Sequence, residues 1–356
     1  MAKRLPFISL FSILLLSLAL SACGGGASTE KTSASKKANW ISHALGAIEA
    51  NHYPKIKGIA WWNENFDNAR LRVDSSPQSL STYKRIIASN YFKDQLQFSN
   101  NKLIPPASGV YHGAFPDFGG EESMVTAKRI TDYEALIGKQ IAWAYFSDNW
   151  LDNLSFPYDE VTVIHNAGRV PFIRMMARSD FEEAGVDPVY AMQKIIDGDF
   201  DIQLNAWALE AKNIGFPLLV EFGTEANGNW FPWNGEHNGA GVKDQYGDPL
   251  LADGPERFRD AYRHIIDIFK AQSVNNITWF FHIDAHSEPD VAWNSIENYY
   301  PGDDYIDWFG VSVYGPQLPS EGYESFTDIL DEIYPKLISL GDKPIAVLEF
   351  AITEVP

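Results

Sequence analysis

The sequence predicts an α/β protein in which eight parallel strands alternate with helices and close into a (β/α)8, or TIM, barrel. Short apolar runs alternate along the chain with amphipathic stretches of helical periodicity, a pattern typical of repeated βα units. The chain contains eight such runs, and eight is the number of parallel strands that closes a barrel of this type. The roughly 320 residues beyond the N-terminal segment are an ordinary length for one such domain.

The predicted strands are placed by their apolar runs, and seven of the eight are followed by a plausible helix. The first strand covers residues 56–62, and residues 74–77 (Asp-Ser-Ser-Pro) provide N-cap chemistry for a helix over about 78–89. The remaining strands are predicted at about 109–114, 140–146, 170–175, 216–222, 276–282, 306–313 and 344–349.

The N-terminus is typical of a bacterial secretion signal. Two basic residues precede an apolar run, Leu5 to Leu20, which is too short for a stable transmembrane helix. The run ends in Leu20-Ser-Ala-Cys23, which resembles a lipobox, and Cys23 is the single cysteine of the chain. We therefore expect that residues 1–22 are removed and that Cys23 carries a lipid, which anchors the protein to the cell envelope, at the outer membrane or cell surface. An ordinary cleaved signal with an incidental cysteine is the alternative.

The composition predicts the domain organisation of the rest of the chain and the partners it can bind. Residues 23–38 are mostly Gly, Ser, Thr, Ala and Lys, which predicts a flexible tether before a single domain over residues 39–356. The formal net charge is -19, with 47 acidic and 28 basic residues, so a nucleic-acid partner is not expected. We expect a monomer that contacts the membrane only through its lipid and carries no cofactor.

Two glutamates stand where a barrel of this type has its active site, at the C-terminal ends of strands. Glu225 follows the run at 216–222, and Glu349 ends the run at 344–349. A pair of carboxyl groups, one protonated and one ionised, is what glycoside hydrolysis requires. Tryptophans close to Glu225 could stack on sugar faces. The alternative is that both glutamates are structural ion-pair partners.

The motifs around these glutamates resemble those of a known family. The segment Glu225-Ala-Asn-Gly-Asn-Trp-Phe-Pro-Trp233 resembles the acid/base motif of glycoside hydrolase family 26, which includes many β-mannanases. Residues 308–315 (Trp-Phe-Gly-Val-Ser-Val-Tyr-Gly) are similar to the sixth-strand segment of that family, and residues 343–350 are similar to its nucleophile strand. The similarity extends through most of the chain beyond the tether.

The resemblance implies roles for single residues. Glu225 would be the general acid/base, Glu349 the nucleophile, and Tyr314 a hydrogen-bond donor to Glu349, in a double displacement with retention. Further substrate contacts are predicted at Trp230, Trp233, Asn227, Trp61 and His282. His282, Asp284 and His286 alternate like metal ligands, but no HExxH motif or fourth ligand accompanies them, so we expect no metal.

The sequence departs from the family at two positions before Glu225. The family usually has His directly before the acid/base and Arg three residues earlier, where this chain has Thr224 and Glu221. The missing His puts mannan specificity in doubt more than hydrolysis. Glu221 would either face the site, where like charge would raise the pKa of a neighbouring carboxyl, or point into the barrel core.

The order of the elements also departs from the family and predicts a circular permutation. Residues 40–50 look like the family's seventh helix, residues 53–63 like its eighth strand, and residues 78–92 like its last helix. The usual eighth strand would then come first, with Trp61 at the mouth of the barrel, although alternation lets only one of Trp61 and Trp62 face inward. A truncated gene beside unrelated N-terminal sequence is the alternative.

The function predicted from the sequence is a retaining endo-β-glycanase that hydrolyses β-1,4-mannan-type polysaccharide. Within the same family, a β-1,3-1,4-glucanase or a β-1,3-xylanase is the alternative. A catalytically silent lipoprotein that captures glycans by aromatic stacking is the alternative from a different functional class.

Overall fold

The computed structural model describes residues 26–354 apart from residues 67, 120, 182–184 and 319, and their side chains from Lys36 onward. Cys23 and the predicted signal peptide lie outside the described residues. The strands of the main sheet are Ile56–Trp62 (β1), Val110–Phe115 (β2), Trp143–Asn149 (β3), Val170–Met176 (β4), Leu218–Phe222 (β5), Ile277–Asp284 (β6), Trp308–Tyr314 (β7) and Ile345–Ala351 (β8).

These eight strands form a closed parallel barrel. Neighbours along the chain pair in parallel from β2 to β8, and β1 pairs in parallel with both β2 and β8. Ring closure leaves no free edge between the first and the last strand. The (β/α)8 barrel predicted from the apolar runs is therefore confirmed.

Helices cover the outside of the ring. They are Gly26–Glu49 (α1), Pro77–Ile87 (α2), Ala127–Ile137 (α3), Tyr158–Asn166 (α4), Met192–Ile196 (α5), Asp201–Asn213 (α6), Asp253–Ala271 (α7), Ile296–Tyr299 (α8) and Phe326–Leu340 (α9). As predicted, the region around Ser76 caps α2, and the Ser76 side chain accepts a hydrogen bond from the Ser79 amide. In the described part of the chain, no helix is long and apolar enough to cross a membrane.

The third strand is placed further along the chain than predicted. The sequence predicts a strand over residues 140–146, whereas β3 covers Trp143–Asn149. Its last three residues, Ser147, Asp148 and Asn149, are polar and therefore lie beyond the apolar run that predicts the strand. A strand of a barrel can end in polar residues because its C-terminal end opens into the cleft.

The predicted tether over residues 23–38 is helical where the structure describes it. Helix α1 begins at Gly26, and Lys37 and Ala38 are buried, so the packed domain begins before residue 39. The Ala, Lys and Glu residues of this stretch favour helix. Extending a helix that the packing of Trp40, Ile41 and Ala44 already fixes requires no new nucleus.

The lower part of the barrel interior is filled by aromatic rings. Trp143 and Phe280 each contact Phe172, and Phe280 also contacts Trp308, with ring centroids 4.7 to 6.3 Å apart. Gly113 on β2 is required here, because a Cβ at that position would stand 2.1 Å from the Trp143 indole. The short hairpin of Phe98–Ser99 and Lys102–Leu103 packs below, where the Trp308 Nε1 donates to the Leu103 carbonyl.

Lys37 joins three segments that are distant in the chain. Its Nζ donates to the carbonyls of Arg70 and Arg72 and to the Ser75 Oγ, each at 2.8 Å, and it lies 5.7 Å from the centre of the Trp61 ring. Ser75 in turn donates to the carboxylate of Glu354. One buried ammonium therefore connects α1, the loop after β1 and the segment after β8.

Replacing Lys37 tests this connection. Lys37→Ala removes a buried side chain that donates to three acceptors, and we expect it to lower the free energy of unfolding by about 3 kcal/mol. Urea denaturation measures the change. The matched control is Lys36→Ala, because Lys36 is exposed and its loss is expected to change stability by less than about 0.5 kcal/mol. Equal losses in the two variants would show that Lys37 is not a structural link.

Candidate active site

A layer of charged and polar side chains lies inside the barrel above the aromatic layer. His282 on β6 is at its centre, and its Nε2 is 2.9 Å from the Ser312 Oγ. The His282 Nδ1 lies 2.8 Å from the Thr224 Oγ1 and 3.0 Å from the Glu221 carboxylate. Tyr145 donates to the same carboxylate from β3. Glu221 therefore points into the barrel core, which decides between the two orientations that the sequence left open.

The Glu221–His282 contact is a buried ion pair. Burial by itself raises the pKa of Glu221, but His282, with Arg174 and Tyr145, outweighs it and holds that pKa below its usual value. Burial correspondingly lowers the pKa of His282, and the Glu221 carboxylate outweighs it and raises that pKa. Each shift favours the charged form of its side chain, as expected when two oppositely charged groups are buried together.

Glu349 lies near the C-terminal end of β8 and is 4% exposed. Tyr314, at the end of β7, donates its hydroxyl to the Glu349 Oε2 at 2.7 Å, and the Arg174 Nη2 is 3.3 Å from Oε1. Burial raises the pKa of Glu349 to about 7, and the negative charge of Glu225 contributes, while Arg174, His282 and Tyr314 oppose the rise. The carboxyl can therefore change its charge near neutral pH.

Glu225 lies in the turn after β5 in a backbone conformation that few side chains adopt. Its φ is +50°, in the left-handed region that costs free energy for a residue other than glycine. The Trp230 Nε1 donates to the Glu225 Oε2 at 2.7 Å. The indole reaches this position across Gly228, where a Cβ would stand 2.2 Å from the ring. The Glu-X-Asn-Gly-X-Trp spacing thus places the Trp230 indole where it orients the carboxyl group of Glu225.

Asn227 fixes the same turn to the loop after β6. Its Oδ1 accepts from the Asp284 amide at 2.8 Å, and its Nδ2 donates to the Asp284 carbonyl and the Ser287 Oγ. The side chain is fully buried, and both of its amide hydrogens are used. Asn227 therefore positions the turn that carries Glu225 and is not the substrate contact that the sequence predicted.

Three more predicted substrate contacts are buried and need correction. Trp233 is 0% exposed, stacks on Phe231 and donates its Nε1 to the Thr224 carbonyl, so it supports the loop and offers no face to a sugar. His282 has both ring nitrogens engaged within the core. Trp61 is also 0% exposed and packs against Tyr83 and Phe350 under the helices.

Trp62 takes the inward position that the sequence assigned to Trp61. Its ring stacks on Phe115 with centroids 4.0 Å apart, and the Arg174 guanidinium lies 5.3 Å from its centre. Side chains alternate along a strand, so only one of the two indoles can face the interior. The sequence implies that only one of the two indoles faces inward, but it does not show which one.

Arg174 is the main site residue that the sequence analysis did not identify. It is 2% exposed and, besides Glu349, contacts the Glu122 carboxylate at 2.6 Å and Glu221 at 3.7 Å. A signal was present, since an arginine in the middle of the apolar run Val-Pro-Phe-Ile-Arg-Met is rarely buried without a partner. Its partners come from other strands and loops, which the local pattern does not contain.

The site can therefore present two carboxyl groups in different environments. Tyr314 and Arg174 hold Glu349 with donors suited to its ionised form, whereas Trp230 orients Glu225 with a single donor. Two carboxyls that influence one another and differ in environment are suited to opposite roles in proton and nucleophile chemistry. Among the described residues no group of three His, Cys, Asp or Glu side chains is arranged to hold a metal ion.

Comparison with known proteins gives one family. Residues 172–343 match the family model of glycosyl hydrolase family 26. Endoglucanase H of Acetivibrio thermocellus is 26% identical over 251 residues, which are 70% of this chain and 25% of that protein. Mannan endo-1,4-beta-mannosidase A and B of Caldalkalibacillus mannanilyticus is 28% identical over 145 residues, 41% of this chain and 24% of that protein.

A third relative, beta-1,3-xylanase of Alcaligenes sp, is 23% identical over 133 residues, 37% of this chain and 24% of that protein. The chain spans about a quarter of the length of each of these curated relatives. The segment that is similar to glycosyl hydrolase family 26 is just under half of the chain and includes Arg174, Glu225 and Tyr314.

Proposed function

We propose that the chain is a retaining endo-β-glycanase that hydrolyses β-1,4-mannan-type polysaccharide, with Glu225 as general acid/base and Glu349 as nucleophile. The observation that carries the proposal is the pair of glutamates at one end of the barrel, each held by a different donor set. The similarity to a mannan endo-1,4-beta-mannosidase supports the substrate class.

In the first step the ionised Glu349 attacks the anomeric carbon, and the bond from that carbon to the leaving oxygen breaks. Glu225 gives its proton to that oxygen, so the leaving sugar departs neutral and a glycosyl ester on Glu349 remains. In the second step Glu225 takes a proton from water, whose oxygen attacks the anomeric carbon and releases Glu349. Two inversions at one carbon give net retention.

The donors around each carboxyl suit these roles. Tyr314 and Arg174 stabilise the charged form of Glu349, which is the form that attacks. The Trp230 Nε1 occupies one oxygen of Glu225 and leaves the other to carry the proton.

The departure from the family pattern at Thr224 and Glu221 does not remove an imidazole or a guanidinium from this region. His282 reaches Thr224 from β6, and Arg174 reaches Glu221 from β4. We propose that these two residues supply from the neighbouring strands the positive charge that the family usually has before its acid/base.

The alternatives differ in substrate, and one experiment separates them. Endoglucanase H and beta-1,3-xylanase are also relatives, which keeps a β-1,3-1,4-glucanase and a β-1,3-xylanase as candidates. Release of reducing ends is measured on mannan, galactomannan, mixed-linkage glucan, β-1,3-xylan and β-1,4-xylan. Fastest release from mannan or galactomannan is expected. Binding without release from any of them would favour the silent glycan-binding protein.

We also propose that the barrel is circularly permuted relative to its family, with the break after the nucleophile strand. The packing of α1 supports this, because α1 precedes β1 but contacts both α2 and α9. It thus covers the β8–β1 boundary, where a helix following β8 would lie. Glu225 follows the fifth strand and Glu349 lies near the end of the eighth, one place later than the fourth and seventh strands that carry these residues in the family.

Attachment to the cell envelope through a lipid on Cys23 remains a proposal. It is supported by the Leu20-Ser-Ala-Cys23 sequence and by the absence of any other cysteine from the chain. Cys23→Ala is expected to shift the protein from the membrane to the soluble fraction. Unchanged fractionation would contradict the proposal.

Substitution of the two glutamates tests the assigned roles. Glu349→Gln and Glu225→Gln should each lower kcat on the polysaccharide by about 10³-fold or more while oligosaccharide binding is retained. Azide then distinguishes the roles on an aryl glycoside with a good leaving group. The Glu225→Ala variant should yield a glycosyl azide that keeps the configuration of the substrate, and Glu349→Ala should yield the opposite anomer. The reverse assignment of products would exchange the two roles.

Two controls accompany these variants. Glu332→Gln makes the same change on the exposed face of α9 and should leave kcat unchanged. Folding of Glu349→Gln is checked by thermal unfolding at pH 8. The pKa of Glu349 is raised from 4.5 to about 7 in the fold, so the stability it contributes is full below pH 4.5 and is lost as the pH rises through about 7. The neutral Gln variant should therefore unfold no earlier than the wild type at pH 8.

The pH dependence should report the ionisation of Glu349. Because the nucleophile must be ionised, kcat/KM is expected to fall as the pH falls through about 7, the pKa of Glu349. Tyr314→Phe removes a donor to the ionised carboxylate, so this limb should move to higher pH. Tyr323→Phe, in an exposed tyrosine, is the control. An acidic limb that stays in place in Tyr314→Phe would contradict the assignment.

A further inference from the structure

A second concave site opens beside the catalytic end of the barrel. It is a cavity of about 500 Å³ next to the C-terminal end of β3, where Ser147, Asp148 and Asn149 contribute to its wall. Tyr158, the first residue of α4, and Phe181, in the loop after β4, line it from the outside. The cavity is therefore at the same end of the barrel as Glu225 and Glu349 but faces different loops.

Accessible aromatic rings are concentrated in this cavity. Tyr158 is 54% exposed and Phe181 is 39% exposed. Among the described phenylalanine, tyrosine and tryptophan residues, only one other, Tyr323, has an exposed ring. Large rings left in contact with water within a concave surface are typical of a binding site, and their faces suit the apolar C–H faces of sugars.

The polar lining selects a neutral ligand rich in hydroxyl groups. Glu121, Asp148, Asp159 and Glu160 line the cavity. The Arg178 guanidinium lies over the Phe181 ring and donates to the Asn149 Oδ1, but the four carboxyl groups disfavour an anion. The described residues also offer no group of three metal-ligating acids or histidines. The carboxylates can accept hydrogen bonds from sugar hydroxyls.

Asp148 is held in place for such contacts. Its Oδ2 accepts a hydrogen bond from the Trp207 Nε1 at 3.2 Å. Burial raises the pKa of Asp148 to about 7, and Glu160 adds to the rise, while Trp207 opposes it. A carboxyl that is partly protonated at neutral pH can both donate and accept.

A continuous chain of contacts connects the cavity to the proposed nucleophile. Ser147, in the cavity wall, donates its Oγ to the Glu122 Oε2 at 2.7 Å. The same oxygen is 2.6 Å from Arg174, which is 3.3 Å from Glu349. Only two side chains, Glu122 and Arg174, therefore lie between the cavity wall and the proposed nucleophile.

We infer that this cavity is a distal glycan subsite, which binds a neutral pyranose residue of the same polysaccharide chain that is cleaved between Glu225 and Glu349. Tyr158 and the face of Phe181 opposite the Arg178 guanidinium provide its stacking surface, and Asp148 provides hydrogen bonds. The inference rests on the proposed function, because it assumes that a polysaccharide lies along this end of the barrel.

Chain-length dependence of hydrolysis tests the subsite. The substrates are a triose and a hexaose from the polysaccharide that the wild type cleaves fastest, with mannan expected. Tyr158→Ala and Phe181→Ala should each lower kcat/KM on the hexaose by about tenfold, the effect of one lost aromatic contact, and leave the triose unchanged. Leu209→Ala, at a half-exposed position on α6, should change neither. No loss in either variant, or equal losses on triose and hexaose, would overturn the subsite while the proposed hydrolysis stands.

Binding to an inactive variant separates this test from the failure of the proposed function. Calorimetry measures hexaose binding to Glu349→Gln with and without Tyr158→Ala, and about tenfold weaker binding is expected in the double variant. Should the wild type cleave none of the polysaccharides, the proposed function fails, and weaker binding in the double variant would still support the subsite. Unchanged binding would overturn it.

Discussion

The arrangement of the site depends on one buried cation, the guanidinium of Arg174. A charge removed from water is tolerated only when it is paired and hydrogen-bonded, and Arg174 finds three carboxylates, on Glu122, Glu221 and Glu349. The rings of Trp62 and Tyr145 flank it at 5.3 and 5.2 Å. Each of these groups comes from a different strand or loop, so the position of the guanidinium fixes the barrel interior and the proposed nucleophile together.

The barrel interior is layered by polarity, and each layer supports the one above it. Aromatic rings around Trp143 fill the lower part, the Glu221–His282 pair occupies the middle, and Glu349 and Glu225 stand at the open end. The charged middle layer also affects the pKa of Glu349. Arg174 and His282 oppose the rise that burial causes, and a neutral core would not. Burying the Glu349 carboxyl costs stability but leaves it with a pKa near neutral pH. Such a combination is common at functional sites.

The corrected residues share one cause. Asn227, Trp233 and His282 are close to Glu225 or Glu349 in the chain or in space, yet each has its polar atoms satisfied by protein groups. Residue type and motif position predict nearness to a site, but whether a side chain touches substrate depends on which hydrogen-bonding groups remain unused. Trp230 and Tyr314, whose donors reach the two carboxyls, are the predicted residues that the geometry keeps at the site.

The sequence by itself determined the number and order of the strands and the positions of Glu225 and Glu349 at strand ends, because apolar periodicity and turn chemistry are local properties of the chain. The contact between Glu225 and Trp230 is equally local, since both residues lie in one six-residue motif, whereas Asn227 of the same motif bonds to the loop after β6. Only the tertiary structure decided that Trp62 rather than Trp61 faces inward, that Lys37 belongs to the packed domain, and that Arg174 reaches Glu349. These outcomes depend on partners from distant segments of the chain, and those segments come together only when the barrel closes.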